Sequence, residues 1–250
     1  MPEPSAGESR REAGPERPSE RNPEPSAGES RREAGPEQPS ELRPILDAAA
    51  RGTFPPEDGA VQVLPPVGGR ADVLVGFTGH FVLAAAVDAD EVTARVPIGD
   101  FSVPMSASFL SWLSRRLGRE PGTLDAVLAA PGTGEGAREW LVRDDDAGHP
   151  RVVRARRYRN DVSVYTTIDG TGILIVGRGL CGRWEMAFEV AAGARGHGLG
   201  RRLVEASRCF VPSGEYVWAQ VAPGNAASLR AIVAGGFAPI CAEVLFPAAR

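Results

Sequence analysis

Hydrophobic and polar positions divide the chain into three stretches. Residues 1–43 show no apolar period of any kind. Pro2-Glu3-Pro4-Ser5-Ala6-Gly7-Glu8-Ser9-Arg10-Arg11 recurs as Pro23-Glu24-Pro25-Ser26-Ala27-Gly28-Glu29-Ser30-Arg31-Arg32, and Ala is the only apolar type in the repeat. Repeat architectures need a periodic apolar face to stack, and a segment this polar buries too little surface to offset chain entropy. The segment reads as a disordered tail of duplicated sequence, with a docking role as the alternative. From 61 to 98 the pattern is β-rich: Val61-Gln62-Val63-Leu64 precedes Pro65-Pro66, and residues 72–77 and 80–83 flank Thr78-Gly79 as the arms of a tight hairpin. Residues 106–117 place Phe109, Leu110, Trp112, Leu113 and Leu117 at helical spacing. Residues 131–136 form a loop, Trp140-Leu141-Val142 a short strand, and Asp144-Asp145-Asp146 closes this half. No chemistry signature lies in 44–150.

The last stretch is the most regular. Residues 161–168 alternate as a strand, Asp169-Gly170-Thr171-Gly172 turns, and 173–177 returns as a second strand. A third strand over 184–190 leads through a Gly-rich loop into a helix over 198–210. A strand over 216–221, a helix over 226–234 ended by Gly235-Gly236, and a strand over 240–246 follow. The order is β-β-β-α-β-α-β. The domain reading is therefore a tail over 1–43, an N-terminal α/β half of unassigned role over 44–150, and a ligand-binding half over 151–250.

Composition narrows the chemistry. Hydrophobic residues at 42 % and charged residues at 24 % are ordinary globular values, so the body folds around a core. All 28 basic residues are Arg. Without lysine there is no Walker-A P-loop, no Schiff base and no self-acylation on a side-chain amine. A net charge of −4 argues against a general polyanion binder, and nucleic acid is not an expected partner. Cys181, Cys209 and Cys241 form no CxxC pair or metal-ligand spacing, so no metal is expected. Scattered cysteines, a polar N-terminus and no apolar run near the roughly 20 residues of a membrane span point to a cytoplasmic protein without membrane attachment. No G-x-S-x-G or H-E-x-x-H occurs, which removes the hydrolase readings.

The loop Ala194-Arg195-Gly196-His197-Gly198-Leu199-Gly200-Arg201-Arg202-Leu203 joins a strand to a helix with Leu199, Leu203, Ala206 and Phe210 on one face. Glycine lets backbone approach a ligand closely, and the first helical N–H groups point outward at the positive end of the helix dipole. Several charge-assisted N–H donors on one diphosphate contribute about 1.5–3 kcal/mol each. The dinucleotide fingerprint G-x-G-x-x-G fails, because Arg201 stands at its sixth position. Arg-x-x-Gly-x-Gly fits, filled by Arg195, Gly198 and Gly200.

This stretch, 190–203, resembles the acetyl-CoA-binding motif of the GNAT superfamily of N-acetyltransferases. Asn225-Ala226-Ala227-Ser228-Leu229-Arg230 with Gly235-Gly236-Phe237 is similar to that family's second motif, and the resemblance covers about 160–246. It implies an α/β (α+β) fold: a mixed, mostly antiparallel sheet with flanking helices and a splayed parallel strand pair at the cofactor site. It implies acetyl-CoA as co-substrate, with Val190 and a bulge at Ala191-Ala192 facing the pantetheine arm. The amides of Arg195, Gly196, His197, Gly198, Leu199, Gly200 and Arg201 would hold the pyrophosphate, and Asn225 would lie near the thiol. The implied reaction is direct acetyl transfer to a primary amine, on a small molecule or a protein N-terminus.

On the strand before the loop, Glu185 and Glu189 share one face with Ala187, while Trp184, Met186, Phe188 and Val190 form the core face. Glu189 and Glu185 are the candidate catalytic carboxylates, with a solvated strand face as the alternative. The family often places a Tyr seven residues after the Asn; here that position is Ile232. A catalytically silent acyl-CoA-binding or sensing module is therefore the second reading. Arg151, Arg154, Arg156, Arg157 and Arg159 crowd one segment, open to an acidic partner, the 3′-phosphate of CoA or plain solvation. Trp218 is either a pocket wall or core.

Overall fold

The computed structural model describes residues 40–248 apart from 69, 98, 137 and 147. The duplicated segment and its predicted disorder thus lie outside the described residues, except at the end. There the boundary moves: Leu42 and Arg43, read as tail, open helix α1 (Leu42–Ala50). Leu42, Leu46 and Ala49 recur at helical spacing and are fully buried, so apolar burial on one face holds this helix against the sheet.

The strands are β1 (Val61–Leu64), β2 (Ala71–Phe77), β3 (His80–Ala84), β4 (Leu124–Pro131), β5 (Leu141–Arg143), β6 (Asn160–Thr167), β7 (Gly172–Arg178), β8 (Trp184–Val190), β9 (Tyr216–Val221) and β10 (Ala238–Pro247). The helices after α1 are α2 (Ala89–Thr93), α3 (Ala107–Leu117), α4 (Pro150–Tyr158), α5 (Leu199–Ser207) and α6 (Ala226–Ala234). All ten strands form one open sheet in the order β1-β3-β2-β10-β4-β9-β8-β7-β6-β5. Only β1/β3 and β8/β9 are parallel among the described strands. The mixed, mostly antiparallel sheet with flanking helices is the predicted fold class.

Helices α2, α3, α5 and α6 cover one face, where Leu174, Met186 and Leu203 pack in one cluster and Leu83, Phe109 and Phe246 in another. On the opposite face, α1 packs on Val73, Val127 and Trp218, and α4 on Val164 and Ile175. Trp218 is fully buried, so it is core and not a pocket wall.

The two predicted halves interleave. Strand β10, from the end of the chain, lies between β2 and β4, and β4 lies between β10 and β9. The 44–150 half supplies inner strands of the same sheet, so it is not a separate piece. The hairpin at Thr78-Gly79 forms with Gly79 at a φ of 66°, which glycine adopts without strain. The crowded arginines belong to α4, which opens with His149 as N-cap and Pro150 in its first turn.

Candidate active site

Parallel strands β8 and β9 pair only at Trp184↔Val217 and Glu185↔Trp218. Beyond that point β8 keeps β7 and β9 keeps β4, but their facing edges part. Unpaired strand edges inside a fold need polar partners, so the gap offers free N–H and C=O groups that an extended ligand could meet. The splayed pair predicted at this site is present.

The chain leaves β8 at Val190 without a register shift against β7. The predicted bulge at Ala191-Ala192 is thus corrected: a 3-10 turn over Ala192–Ala194 redirects the backbone instead. Gly196 and Gly198 then adopt φ values of 83° and 81°, the left-handed region where glycine is unstrained. Gly198 is the N-cap of α5 and brings no side-chain cap. Among the described residues, the amides of Gly196 through Arg201 donate to no acceptor outside the helix's own ladder. A glycine nest leading into an uncapped helix is an anion cradle. A Cβ on Gly200 would stand 3.2 Å from Phe188 Cε2, so the absent side chain lets α5 press onto β8.

These amides face a cavity of about 600 Å³, whose lining includes Val190, Arg195, Gly196, Gly198, Gly200 and Arg201. The Arg195 Nε donates to the Val190 carbonyl at 3.1 Å, and Arg201 pairs with Glu205 at 2.7 Å. His197 lines neither this cavity nor its neighbour and its side chain is exposed. Its part in the cradle is confined to the main chain.

A second cavity of about 590 Å³ occupies the gap between β8 and β9 and opens toward α4. Phe188, Glu189, Asn225 and Ser228 line both cavities, so the two adjoin there. Asn225 caps α6, its side-chain oxygen accepting from the Ser228 amide at 3.2 Å. The Ser228 hydroxyl makes no hydrogen bond among the described residues. Ile232 also lines the second cavity and makes its wall apolar.

Glu185 and Glu189 share a strand face as predicted, yet their surroundings differ. Glu185 is buried at the closed end of the gap. Its carboxylate accepts from Arg183 Nε at 2.9 Å, Arg159 Nε at 3.0 Å, the Leu180 amide at 3.2 Å and Gln220 Nε2 at 3.2 Å. Burial pushes this carboxyl up, but the Arg183 and Arg159 guanidinium groups outweigh it and hold it below the usual range. Arg183 is itself fully buried and binds Glu243 at 2.9 Å. Glu185 is therefore the centre of a structural ion network across β8, β9 and β10, with each of its oxygens held by a guanidinium group. A solvated face is also corrected here, because the carboxylate is inside. Glu189, on the rim of both cavities, is hydrogen-bonded by Arg151 and faces His149 at 3.8 Å. The Arg151 hydrogen bond holds its carboxyl low, which makes it a weak base.

Asp125 is a site residue absent from the sequence reading. It lies at the start of β4, beside Glu243 on β10, and faces the second cavity. Among the described residues it makes no hydrogen bond or ion pair. Burial and then the neighbouring Glu243 charge raise its carboxyl to about 6, partly offset by Arg154. Its only sequence signal is a lone acid interrupting the apolar run of 124–130. Three of the five crowded arginines, Arg151, Arg154 and Arg159, also line this cavity.

No protein-family model matches the chain, and no curated protein matches it. Several solved structures do. An acetyltransferase from the GNAT family of Colwellia psychrerythraea is 13 % identical, covering 56 % of this chain and 62 % of that one at a TM-score of 0.32. A GCN5-related N-acetyltransferase from Kribbella flavida is 13 % identical, covering 56 % and 64 % at 0.34. One from Sphaerobacter thermophilus is 14 % identical, covering 58 % and 57 % at 0.35. The chain thus spans less than two thirds of each of these relatives, and the likeness is distant.

Proposed function

We propose that the protein transfers an acetyl group from acetyl-CoA to a primary amine. The observation that carries this reading is a single continuous arrangement: a glycine nest of free amides opening into a gap between two parting parallel strands. The amides of 196–201 suit a diphosphate, while that of Arg195, also expected there, is taken by the Ala192 carbonyl at 3.4 Å; the unpaired edges of β8 and β9 suit an amide-bearing arm, and the second cavity receives the thioester end. Val190 and Asn225 flank this path.

Acetyl-CoA supplies an activated acyl carbon on a thiolate leaving group. In this reading Asp125 takes a proton from the acceptor ammonium, since an unpaired carboxyl near 6 is ionised yet still basic at neutral pH. The freed nitrogen attacks the acyl carbon, an N–C bond forms and the C–S bond breaks. The nitrogen's second proton passes to the sulfur, with the Ser228 hydroxyl as the relay, and Asp125 returns its own proton to water. Glu189, kept ionised by Arg151, attracts the incoming ammonium at the rim. Glu185 acts by holding the strands together at the closed end.

Calorimetry of the protein with acetyl-CoA, followed by thiol release against an amine panel, tests the reading. Binding that Gly198→Val abolishes is the expected result, and unchanged affinity in that variant counts against the cradle. Ile232 favours the second reading, a silent acyl-CoA sensor, because it offers no proton to the thiolate. Tight binding with no thiol release from any amine would support it.

A further inference from the structure

The second cavity carries more charge than acyl transfer to a simple amine requires. Arg151 is committed to Glu189, Arg159 to Glu185, and Arg178 to Glu215 at 2.7 Å. Arg70 donates to Asn160 at 2.6 Å. Arg154 donates to nothing among the described residues; its guanidinium lies 5.6 Å from the centre of the Tyr158 ring. It sits on the same helical face as Arg151 and Tyr158, and all three face the cavity. Asp125 faces the same cavity from β4. The two make no ion pair, so an unpaired cation and an unpaired anion stand on different walls of one void.

A further polar atom points the same way. The Arg159 Nη1 is buried without a hydrogen-bond partner, and buried guanidinium donors are costly to leave unmet. Arg159 lines this cavity from the end of α4. A ligand anion entering beside α4 meets a free guanidinium and an unmet donor together.

We infer that the acceptor is a small zwitterion, a primary amine bearing a carboxylate or phosphate, with its ammonium at Asp125 and its anionic group on Arg154. This rests on the acetyl-transfer reading and specifies its acceptor. Guanidinium groups bind carboxylate and phosphate through paired N–H donors, while Asp125 keeps the nitrogen end. The reaction balances as before: one N–C bond forms, one C–S bond breaks, and one proton is released. A peptide N-terminus, whose next group is a neutral amide, offers Arg154 no anion.

Thiol release from acetyl-CoA is measured with four matched acceptor sets: amino acids, amino phosphates, the corresponding amines without the anion, and peptide amides. The zwitterion sets should exceed the others in kcat/KM by roughly tenfold or more, the gain of a charge-assisted hydrogen bond. Arg154→Gln should raise KM for the zwitterions by a similar factor relative to the plain amines, whose turnover feels only the lost charge near Asp125. Plain amines or peptide amides turned over as well as the zwitterions would overturn the inference while the transferase reading stands. Acetyl-CoA binding without turnover of any set would overturn the inference and the transferase reading together, in favour of the silent sensor. Failure of acetyl-CoA to bind at all, by calorimetry, removes the transferase reading itself. The split between the two zwitterion sets identifies the anion.

Discussion

At the scale of single residues, three carboxylates within one site differ only in what surrounds them. Glu185 is surrounded by donors, Glu189 is paired at the rim, and Asp125 is half-buried beside another acid. In the proposed reaction, proton transfer therefore falls to the one that neither the strand alternation nor the motif marks. If Asp125 is the base, kcat/KM should rise with pH through about 6 and then level. The charged neighbours on the packed elements are Glu243 on β10 and Arg154 on α4. Asp125→Asn should lower kcat by about 10²–10⁴-fold, the usual value of a positioned base, and abolish the limb near 6. The same variant separates catalysis from folding. A carboxyl raised in the folded state adds stability that is complete below its unfolded value of 3.8 and lost as pH passes about 6. Asn carries no such loss, so urea midpoints at neutral pH should be equal or higher in the variant. Glu185→Gln should do the opposite: it leaves Arg159 without its carboxylate and Arg183 with Glu243 alone, and should cost about 3–5 kcal/mol in urea unfolding.

At the scale of elements, the site is made where two strands stop pairing. The ion network of Arg183, Glu185, Gln220 and Glu243 marks the last paired position, and the gap begins one residue later. Gly179 is part of that closure, because a Cβ there would stand 2.2 Å from the Glu185 carboxylate. That carboxylate is tied by four hydrogen bonds and cannot step aside. Gly179→Ala should therefore lower the urea midpoint and, by shifting Glu185, weaken acetyl-CoA binding; an unchanged midpoint would show the network to be loose. Strands β7, β8 and β9 and helix α6 were legible in sequence because their apolar periods are clean and their ends carry turn and cap residues. The cradle was legible because glycines at Gly196 and Gly198 are the residues a left-handed loop before a helix needs. Strand β4 was not, because a central strand buried on both faces shows no alternation, and Leu124–Pro131 reads as a short featureless run. Helix α4 was hidden for another reason. Its five arginines dominate the segment, while only Val152 and Ala155 are buried, too few to announce a period. With β4 and α4 unread, Asp125 and Arg154 had no visible meeting place.

At the scale of the whole molecule, the motifs read as cofactor-binding lie in the last hundred or so residues, but the fold that positions them does not end there. Strand β9, one wall of the gap, has β4 as its neighbour on the other side, with Ala126↔Val221 through Pro131↔Tyr216 in register. Strand β10 has both its partners, β2 and β4, in the N-terminal half. Helix α1 covers Trp218 from the far face. A fragment starting at residue 151 would keep every residue of the family-like motifs. It would also expose the outer edge of β9, strand β10 on both edges, and the buried faces of Val217, Trp218 and Phe246. Exposed apolar strand edges pair with other chains instead of folding. Such a fragment should aggregate or stay unfolded by circular dichroism and bind no acetyl-CoA. Adding residues 40–150 as a separate chain should restore binding if the halves assemble through β4 and β10. A fragment over 151–250 that folded alone and bound acetyl-CoA would show that the interleaved strands are not needed to form the cofactor cradle.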